Sequence, residues 1–185
     1  MDSKSDRFWK LLEPEHPRAE AFCRKLTGNR DEGSDLYQDG LLAALRRFDT
    51  LREESAFRPW LYRILINTYR NRCRSSGRNL IVELPHDLIG SDPADAYAAK
   101  RTVERALATL KPARRTLVVL HELDGWSIPD LARLYGRSEG TVKSWLSRSR
   151  RKMVAALTTV ETPDTKTHNE SKAPYAVPQP QKPLP

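Results

Sequence analysis

Residues 125–153 read GWSIPDLARLYGRSEGTVKSWLSRSRRKM, and this stretch decides the fold of the C-terminal part of the chain. Ser127 can cap a helix with Pro129 in its first turn, where a missing N–H costs little. Gly136 stands where the chain must leave that helix with a positive φ, and Ser138 can cap a second helix directly afterwards. Two short helices joined by a tight turn that contains glycine predict a helix-turn-helix.

The second helix of this motif has an apolar side and a polar side. Its inward-facing residues are predicted to be Val142, Trp145, Leu146 and Met153. The opposite side carries hydroxyls and long cations, which are the side chains that reach base edges and phosphates in the major groove. The predicted DNA-binding residues are Ser138, Thr141, Lys143, Ser144, Ser147, Arg148 and Arg151. The alternative is a solvated basic face on a packing helix.

Residues 48–74, FDTLREESAFRPWLYRILINTYRNRCR, interleave aromatic side chains with arginines. Aromatic rings stack on unpaired bases and arginines hold the backbone, so this mixture suits single-stranded nucleic acid. Core packing of the aromatic rings is the alternative. For Phe57 and Tyr69 it is an equal or better explanation, whereas for Trp60, which has arginines on both sides, contact with nucleic acid is favoured.

Apolar residues recur at helical spacing through most of the chain, which predicts an all-α protein. The second predicted helix begins at Ser34 as its N-cap. The segment 77–100 mixes Gly, Pro, Asp and Ser without a sustained period and predicts a flexible linker. Residues 158–185 contain six prolines and few bulky apolar groups, which predicts a disordered tail. Besides the helix-turn-helix, the predicted helices span about 17–29, 34–48, 55–75 and 100–122.

The positive charge of the chain is concentrated in two segments. The formal net charge is +8, and residues 52–78 carry seven basic and two acidic side chains. Residues 101–157 carry twelve basic and five acidic side chains. Two basic surfaces indicate a protein that contacts a polyanion in two places. No stretch approaches the length of an apolar membrane helix and the start has no leader pattern, so we expect a cytoplasmic protein with no membrane partner.

Enzymatic chemistry finds no support in the sequence. Cys23 and Cys73 are too few and too far apart for a zinc finger or a disulfide framework. The four histidines are scattered, no carboxylate cluster has a metal-binding context, and no nucleophile stands beside a base. We therefore expect no catalytic residues, no metal and no cofactor. A DNA-acting enzyme such as a recombinase with a C-terminal helix-turn-helix is the weakest alternative.

A polar cluster stands out in the otherwise apolar second helix. Asp35, Gln38 and Asp39 are three and four residues apart, which places them on one helix face. Acidic residues near a helix N-terminus also stabilise the helix dipole, and this structural role alone would account for Asp35. The residues therefore leave open whether the cluster is a docking surface.

Two stretches together resemble a known family. Residues 35–74, which begin DLYQDGLLAALRRFDT, look like region 2 of bacterial extracytoplasmic-function (ECF) sigma factors, the group IV RNA polymerase sigma factors. Residues 110–153, which begin LKPARRTLVVLHELDGW, look like their region 4. The resemblance covers about 17–157 with both regions in the expected order. It implies a region 2 helical bundle at 1–76, a linker at 77–100, a region 4 helix-turn-helix domain at 101–157 and a tail at 158–185.

The resemblance implies partners and a role for each surface. Asp35, Gln38 and Asp39 would dock on the β′ clamp helices of core RNA polymerase, with a further contact to the β flap, and residues 138–151 would read the minus-thirty-five element as duplex. An anti-sigma factor is a further partner that the family allows. The residues implied to recognise and melt the minus-ten element, partly as single-stranded DNA, are Phe48, Arg52, Ser55, Phe57, Arg58, Trp60, Arg63, Asn67, Arg70 and Asn71.

The leading hypothesis is therefore a sigma factor, which gives core polymerase promoter specificity and promotes strand opening at transcription initiation. A stand-alone helix-turn-helix transcriptional regulator with an N-terminal dimerisation or sensor domain is the alternative. It would account for residues 126–152 but would leave the basic, aromatic segment around Trp60 without a purpose.

Overall fold

The computed structural model describes residues 3–76 and 93–158, and their secondary structure is helical throughout. No β-strand occurs in these two ranges, which confirms the all-α prediction. Two short 3-10 turns, Phe48–Thr50 and Glu54–Ala56, lie between the third and fourth helices. The helices are α1 (Lys4–Leu12), α2 (His16–Thr27), α3 (Arg30–Arg46), α4 (Phe57–Ser76), α5 (Pro93–Ala108), α6 (Pro112–Val118), α7 (Ile128–Tyr135) and α8 (Glu139–Thr158).

Helix α1 was not predicted from the sequence. Ser3 and Asp6 form a reciprocal capping box at its start, which satisfies two of the free N–H groups there. Phe8 and Leu12 are its buried residues, and the ring of Phe8 packs edge-on against Phe48 and Phe57. Two buried positions in nine residues are too few to stand out as a helical period.

The start of α3 differs from the prediction. The helix begins at Arg30, four residues before the expected start, because Asn29 rather than Ser34 is its cap. The Asn29 side chain accepts hydrogen bonds from the backbone N–H groups of Asp31 and Glu32, at 2.8 and 3.0 Å. Gly28 in the left-handed region, at φ 69°, ends α2 and turns the chain straight into α3.

The helical stretch predicted at about 100–122 consists of two helices. It begins earlier, at Pro93, and is interrupted at Lys111, whose extended backbone precedes Pro112. A residue before proline avoids the helical region, so α6 starts anew with Pro112 in its first turn. Beyond α6, Val119–Leu123 form one wide turn in which the N–H of Asp124 donates to the carbonyl of Val119, at 3.2 Å.

Two glycines allow close contacts in the first four helices. A Cβ atom on Gly33 would lie 2.6 Å from Cα of Arg24, so α2 and α3 approach at that point with backbone against backbone. A Cβ on Gly40 would overlap the Leu65 side chain of α4. Glycine inside a helix is ordinarily unfavourable, and here the close approach explains both positions.

Helices α1–α4 form an N-terminal module, and α5–α8 form a helix-turn-helix module. The modules pack on each other through α2 and α4 on one side and through α6, α7 and the wide turn on the other. Their buried apolar residues form one cluster that runs from Phe8 to Leu146. The predicted flexible linker lies largely, at 77–92, outside the described residues, as does the predicted tail beyond Thr158. The assignment of separate domains stays a prediction.

Candidate nucleic-acid interface

The helix-turn-helix forms as the sequence predicts. Ser127 caps α7 by accepting a hydrogen bond from the N–H of Asp130 at 3.2 Å. Gly136 ends α7 in the left-handed region, at φ 61°. Ser138 caps α8, and its hydroxyl accepts from the N–H of Thr141 at 3.2 Å. These three local features define the turn between α7 and α8.

The faces of α8 also follow the prediction. Val142 and Leu146 are buried, and Trp145 and Met153 pack against the core as half-buried side chains. Ser149 is buried as well, and its hydroxyl donates to the carbonyl of Trp145. The predicted DNA-binding side chains lie on the outer face, with Thr141 and Ser144 half-buried and the others exposed: Ser138, Lys143, Ser147, Arg148 and Arg151.

The residues implied to contact the minus-ten element fall into two groups. Phe48 and Phe57 are buried, at 6% and 3% exposed, and lie in the aromatic core of the N-terminal module. Trp60 is half-buried, and its indole N–H donates to the hydroxyl of Thr50 at 3.2 Å. Arg58 is also half-buried. The remaining predicted residues have exposed side chains: Arg52, Ser55, Arg63, Asn67, Arg70 and Asn71.

Part of this basic face contacts the helix-turn-helix module. The guanidinium of Arg58 lies over the Trp126 ring, 4.7 Å from its centroid, and the Tyr62 ring lies 4.9 Å from Trp126. Arg63 donates a hydrogen bond to the carbonyl of Arg133 at 3.1 Å. Arginines that were predicted to meet DNA are therefore occupied by α7 and the segment before it in this conformation.

Two cavities mark where the modules meet. One, of about 250 Å³, is lined from α4 by Arg63, Asn67 and Arg70, and from the end of α7 by Tyr135 and Gly136. A second, of about 610 Å³, has walls from both modules as well. Its lining residues include Ser55, Arg58, Arg63, Trp126 and Arg133. The predicted minus-ten face therefore lies partly against the helix-turn-helix module and partly along these two cavities.

An ion pair and a buried arginine complete the contact between the modules. Nζ of Lys25 in α2 lies 2.5 Å from Oδ1 of Asp124, which follows the wide turn. Burial raises the pKa of Asp124, and the hydrogen bond from Lys25 opposes that shift. Arg115 of α6 is fully buried and donates to the hydroxyl of Tyr69 at 2.9 Å. None of these four residues was singled out as an interface residue from the sequence, because each pairs with a residue remote in the chain.

The polar cluster of α3 is exposed. Asp35, Gln38 and Asp39 all have exposed side chains on one side of the helix. Asp39 forms an ion pair with Arg72 of α4, whose Nε lies 3.1 Å from the carboxylate. Asp35 and Gln38 therefore present the open part of this surface.

Other kinds of site are not evident in the part of the chain that the structure describes. In residues 3–76 and 93–158, histidine, cysteine and carboxylate side chains nowhere gather in a group of three that could hold a metal ion. Cys23 and Cys73 are free thiols in buried positions. No helix within the same ranges combines the length and apolar character that crossing a bilayer requires.

A helix-turn-helix module packed on a helical module with a basic, aromatic face defines a DNA-binding protein. The sequence model of the Sigma-70 region 2 family matches residues 11–79, and that of the Sigma-70 region 4 family matches residues 100–153. The ECF RNA polymerase sigma factor SigM of Mycobacterium tuberculosis is 30% identical over 150 residues, which cover 81% of this chain and 76% of SigM. The ECF sigma factor EcfG of Rhodopseudomonas palustris is 32% identical over 149 residues, or 76% of this chain and 80% of EcfG.

A solved structure agrees with these matches. The sigma factor RpoE from Bartonella quintana, in complex with the anti-sigma factor NepR, superposes with a TM-score of 0.63 at 26% identity, over 82% of this chain and 97% of RpoE. The chain belongs to the ECF family of RNA polymerase sigma factors. It associates with core RNA polymerase, confers promoter recognition and promotes strand opening at transcription initiation.

Proposed function

We propose that the exposed faces of α8 and α4 are the two promoter-binding surfaces of this sigma factor, and that the chain has no catalytic activity of its own. The observation that carries this proposal is the pairing of an ordered helix-turn-helix with a second basic face, rich in arginine and aromatic residues, on α4. One surface suits duplex DNA, and the other suits separated strands. The protein would act in the cytoplasm, where polymerase and chromosomal DNA meet.

The outer face of α8 would read the minus-thirty-five element. Ser138 and Thr141 stand at the N-terminus of the helix, where free N–H groups favour a phosphate. Lys143, Arg148 and Arg151 project from the same side and can reach guanine edges or the backbone. Ser144 and Ser147, with short hydroxyls, allow the helix to approach the base pairs closely.

The minus-ten element would bind the exposed part of the α4 face. Trp60 offers a ring for stacking on an unpaired base, and Arg52 and Ser55 lie in the loop before it. Phe48 and Phe57 are buried, so their contribution would be to hold this loop and Trp60 in position. The polar side chains that would follow the DNA strand along α4 are Arg58, Arg63, Asn67, Arg70 and Asn71.

The packing of the two modules bears on this assignment. Arg58 and Arg63 contact Trp126 and the backbone of Arg133, so the DNA strand and the helix-turn-helix module compete for the same side chains. We therefore expect the modules to separate when the chain joins core polymerase at a promoter. The division into residues 1–76, 77–100, 101–157 and 158–185 accords with such a movement.

The exposed cluster on α3 would be the polymerase-docking surface. Asp35, Gln38 and Asp39 would face the β′ clamp helices, and the helix-turn-helix module would contact the β flap. An anti-sigma factor is a further proposed partner, because the relative from Bartonella quintana was solved in complex with one. In a binding assay with core polymerase, Asp35→Lys should weaken the association, whereas Glu13→Lys, a charge reversal at an exposed site after α1, should not.

A reconstituted transcription assay tests the whole proposal. Start sites are mapped after overexpression, and a mapped promoter is transcribed with core polymerase and purified chain. We expect specific initiation only when both are present, and weak binding of duplex DNA by the chain alone. DNA binding by the holoenzyme should weaken steeply with salt, because phosphate contacts release counterions. A chain that binds an operator tightly by itself, with no contribution from core polymerase, would instead be a stand-alone regulator.

A further inference from the structure

Arg114 of α6 lies over an aromatic ring of α8. Its guanidinium carbon is 3.8 Å from the centroid of the Trp145 ring of α8. Tyr135 of α7 packs edge-on against the same indole, with centroids 6.4 Å apart and rings at 90°. The hydroxyls of Tyr135 and Thr116 are in turn hydrogen-bonded at 2.8 Å. The arginine therefore rests on a platform that three helices hold in place.

Arg114 lacks a counter-ion within the described residues. No carboxylate among the side chains that the structure describes forms an ion pair with it, and its Nη1 atom is buried without a hydrogen-bond partner. By contrast, Arg150 on the other side of α8 is paired with Glu122 at 2.6 Å. Stacking, rather than hydrogen bonding, thus holds the Arg114 guanidinium in position.

A second arginine lies on α8 next to the Trp145 platform in the helix. Arg148 lies one turn beyond Trp145 on α8, and its Nη2 donates to the hydroxyl of Ser144 at 2.7 Å. Burial, and then the positive charge of Arg148, lower the pKa of Arg114. Both guanidinium groups are positively charged and no described carboxylate pairs with either one, so an anion that contacts both would be bound favourably.

We propose that Arg114 and Arg148 form a phosphate clamp, which holds one backbone phosphate of the duplex that α8 reads, with Trp145 as its platform. The proposal rests on the DNA-reading role of α8 proposed above and adds a DNA contact from α6. A guanidinium suits a phosphate because its planar N–H groups can bind two oxygens at once. Such a contact fixes the register of the helix on the DNA and carries no base preference itself.

The ordinary alternative is a structural one, in which Arg114 only joins α6 to α8 by stacking on Trp145. The two roles differ in what they predict for DNA. A stacking contact between helices has no reason to depend on any one phosphate, whereas the clamp depends on a single one. A test that removes phosphates individually therefore separates them.

The experiment measures binding of holoenzyme to a promoter duplex identified by start-site mapping, with one phosphate at a time replaced by a neutral methylphosphonate. For the wild-type chain, one position should weaken binding by about tenfold, as expected for a charge-assisted hydrogen bond. Arg114→Gln should bind the unmodified duplex about tenfold more weakly and lose nothing further at that position. A plot of the logarithm of its binding constant against the logarithm of the salt concentration should be shallower by about the contribution of one phosphate contact.

Two further variants make the result decisive. Arg150→Gln removes one positive charge from α8, at an arginine that is paired with Glu122, so it should keep the full methylphosphonate effect. Arg148→Gln, a change at an exposed side chain that does not threaten folding, should abolish the effect at the same position as Arg114→Gln. If both the Arg114 and Arg148 variants keep that effect undiminished, there is no clamp.

Binding to core polymerase is measured for every variant beforehand. A wild-type chain that fails to form holoenzyme, or a holoenzyme that ignores the promoter, would overturn the proposed function itself. A holoenzyme that recognises the promoter but shows no phosphate shared by the two arginines would overturn only the clamp.

Discussion

Lys25 and Asp124 join the two modules through an ion pair whose partners are 99 residues apart in the chain. Nζ and Oδ1 are 2.5 Å apart, and the two side chains are only 15% and 12% exposed. Trp126, two residues further on, packs beside it against Tyr62. The contact thus combines a shielded pair of charges with an aromatic stack.

Removal of Asp124 should weaken the contact between the modules. Asp124→Ala leaves the Lys25 ammonium shielded from water without its carboxylate. We expect this to weaken the contact between the modules by about 2 kcal/mol, a value between those for exposed and buried ion pairs. The measurement is small-angle X-ray scattering of the free chain, which should show a larger radius of gyration. Glu54→Ala, which breaks an exposed pair with Arg7 inside the N-terminal module, is the control and should change nothing.

The same variant has a consequence for DNA. Separation of the modules frees Arg58 and Arg63, so Asp124→Ala should bind a single-stranded oligonucleotide more tightly than the wild type. An unchanged radius together with unchanged binding would show that this pair does not hold the modules together.

Among the arginines, Arg115 is the one whose substitution should reduce the stability of the fold most. It donates to the carbonyls of Leu107, Ala108 and Leu110, at 3.1, 3.0 and 3.2 Å, and so satisfies the end of α5. Arg115→Met should lower the free energy of unfolding by about 3 kcal/mol or more, because these buried acceptors lose their donor. Tyr69→Phe removes one hydroxyl and should cost about 1 kcal/mol. Urea denaturation compares them, and equal losses would contradict this role for Arg115.

Two glycines should respond to alanine with opposite signs. Gly33→Ala places a Cβ 2.6 Å from Cα of Arg24, and since backbone cannot move aside easily, we expect a loss of about 1–3 kcal/mol. Gly140→Ala adds a Cβ in the first turn of α8, where no other atom lies within 4 Å. It should raise the free energy of unfolding by up to about 1 kcal/mol. Thermal melting of both variants measures the difference. A gain in stability at Gly33 would refute the close contact of α2 and α3.

The two promoter surfaces should act at different steps. Arg148→Ala should weaken binding of holoenzyme to promoter duplex by about tenfold, through loss of a charged contact from α8 to the duplex. Trp60→Ala should leave that first binding step intact and reduce strand opening, because an unpaired base loses its stacking surface. Gel shift reports the first step and permanganate reactivity of unpaired thymines the second. If each substitution impaired both steps alike, this separation of roles would be wrong.

Much of the fold follows from local sequence signals. Ser127, Gly136 and Ser138 defined the helix-turn-helix, because capping hydroxyls and a glycine at positive φ act over only a few residues. The predicted start of α3 was wrong for the same reason, since Asn29 and Ser34 are both good caps, and Asn29 is the one that directly follows the turn at Gly28. Local chemistry thus predicts that helices exist better than it predicts where they begin.

The contact between the modules was beyond such reasoning. Asp124 and Trp126 read as ordinary loop residues, and their partners Lys25 and Tyr62 lie about 100 and 64 positions away. Arg58 and Arg63 were predicted to contact DNA, and the sequence gives no sign that a protein surface also binds them. Arg114 carries no sequence signal of this kind, because it lies before the helix-turn-helix in the chain although it reaches α8 in space.

The wide turn at Val119–Leu123 makes this arrangement sensitive to the length of the chain. This turn contains one residue more than an ordinary helical turn, and that residue sets the direction in which Asp124 and Trp126 follow α6. Loss of a single residue there would rotate both side chains by about 100° around the helix axis and turn them away from Lys25 and Tyr62. Relatives that lack this residue would therefore need a different way to fasten their two halves, even with every other side chain in place.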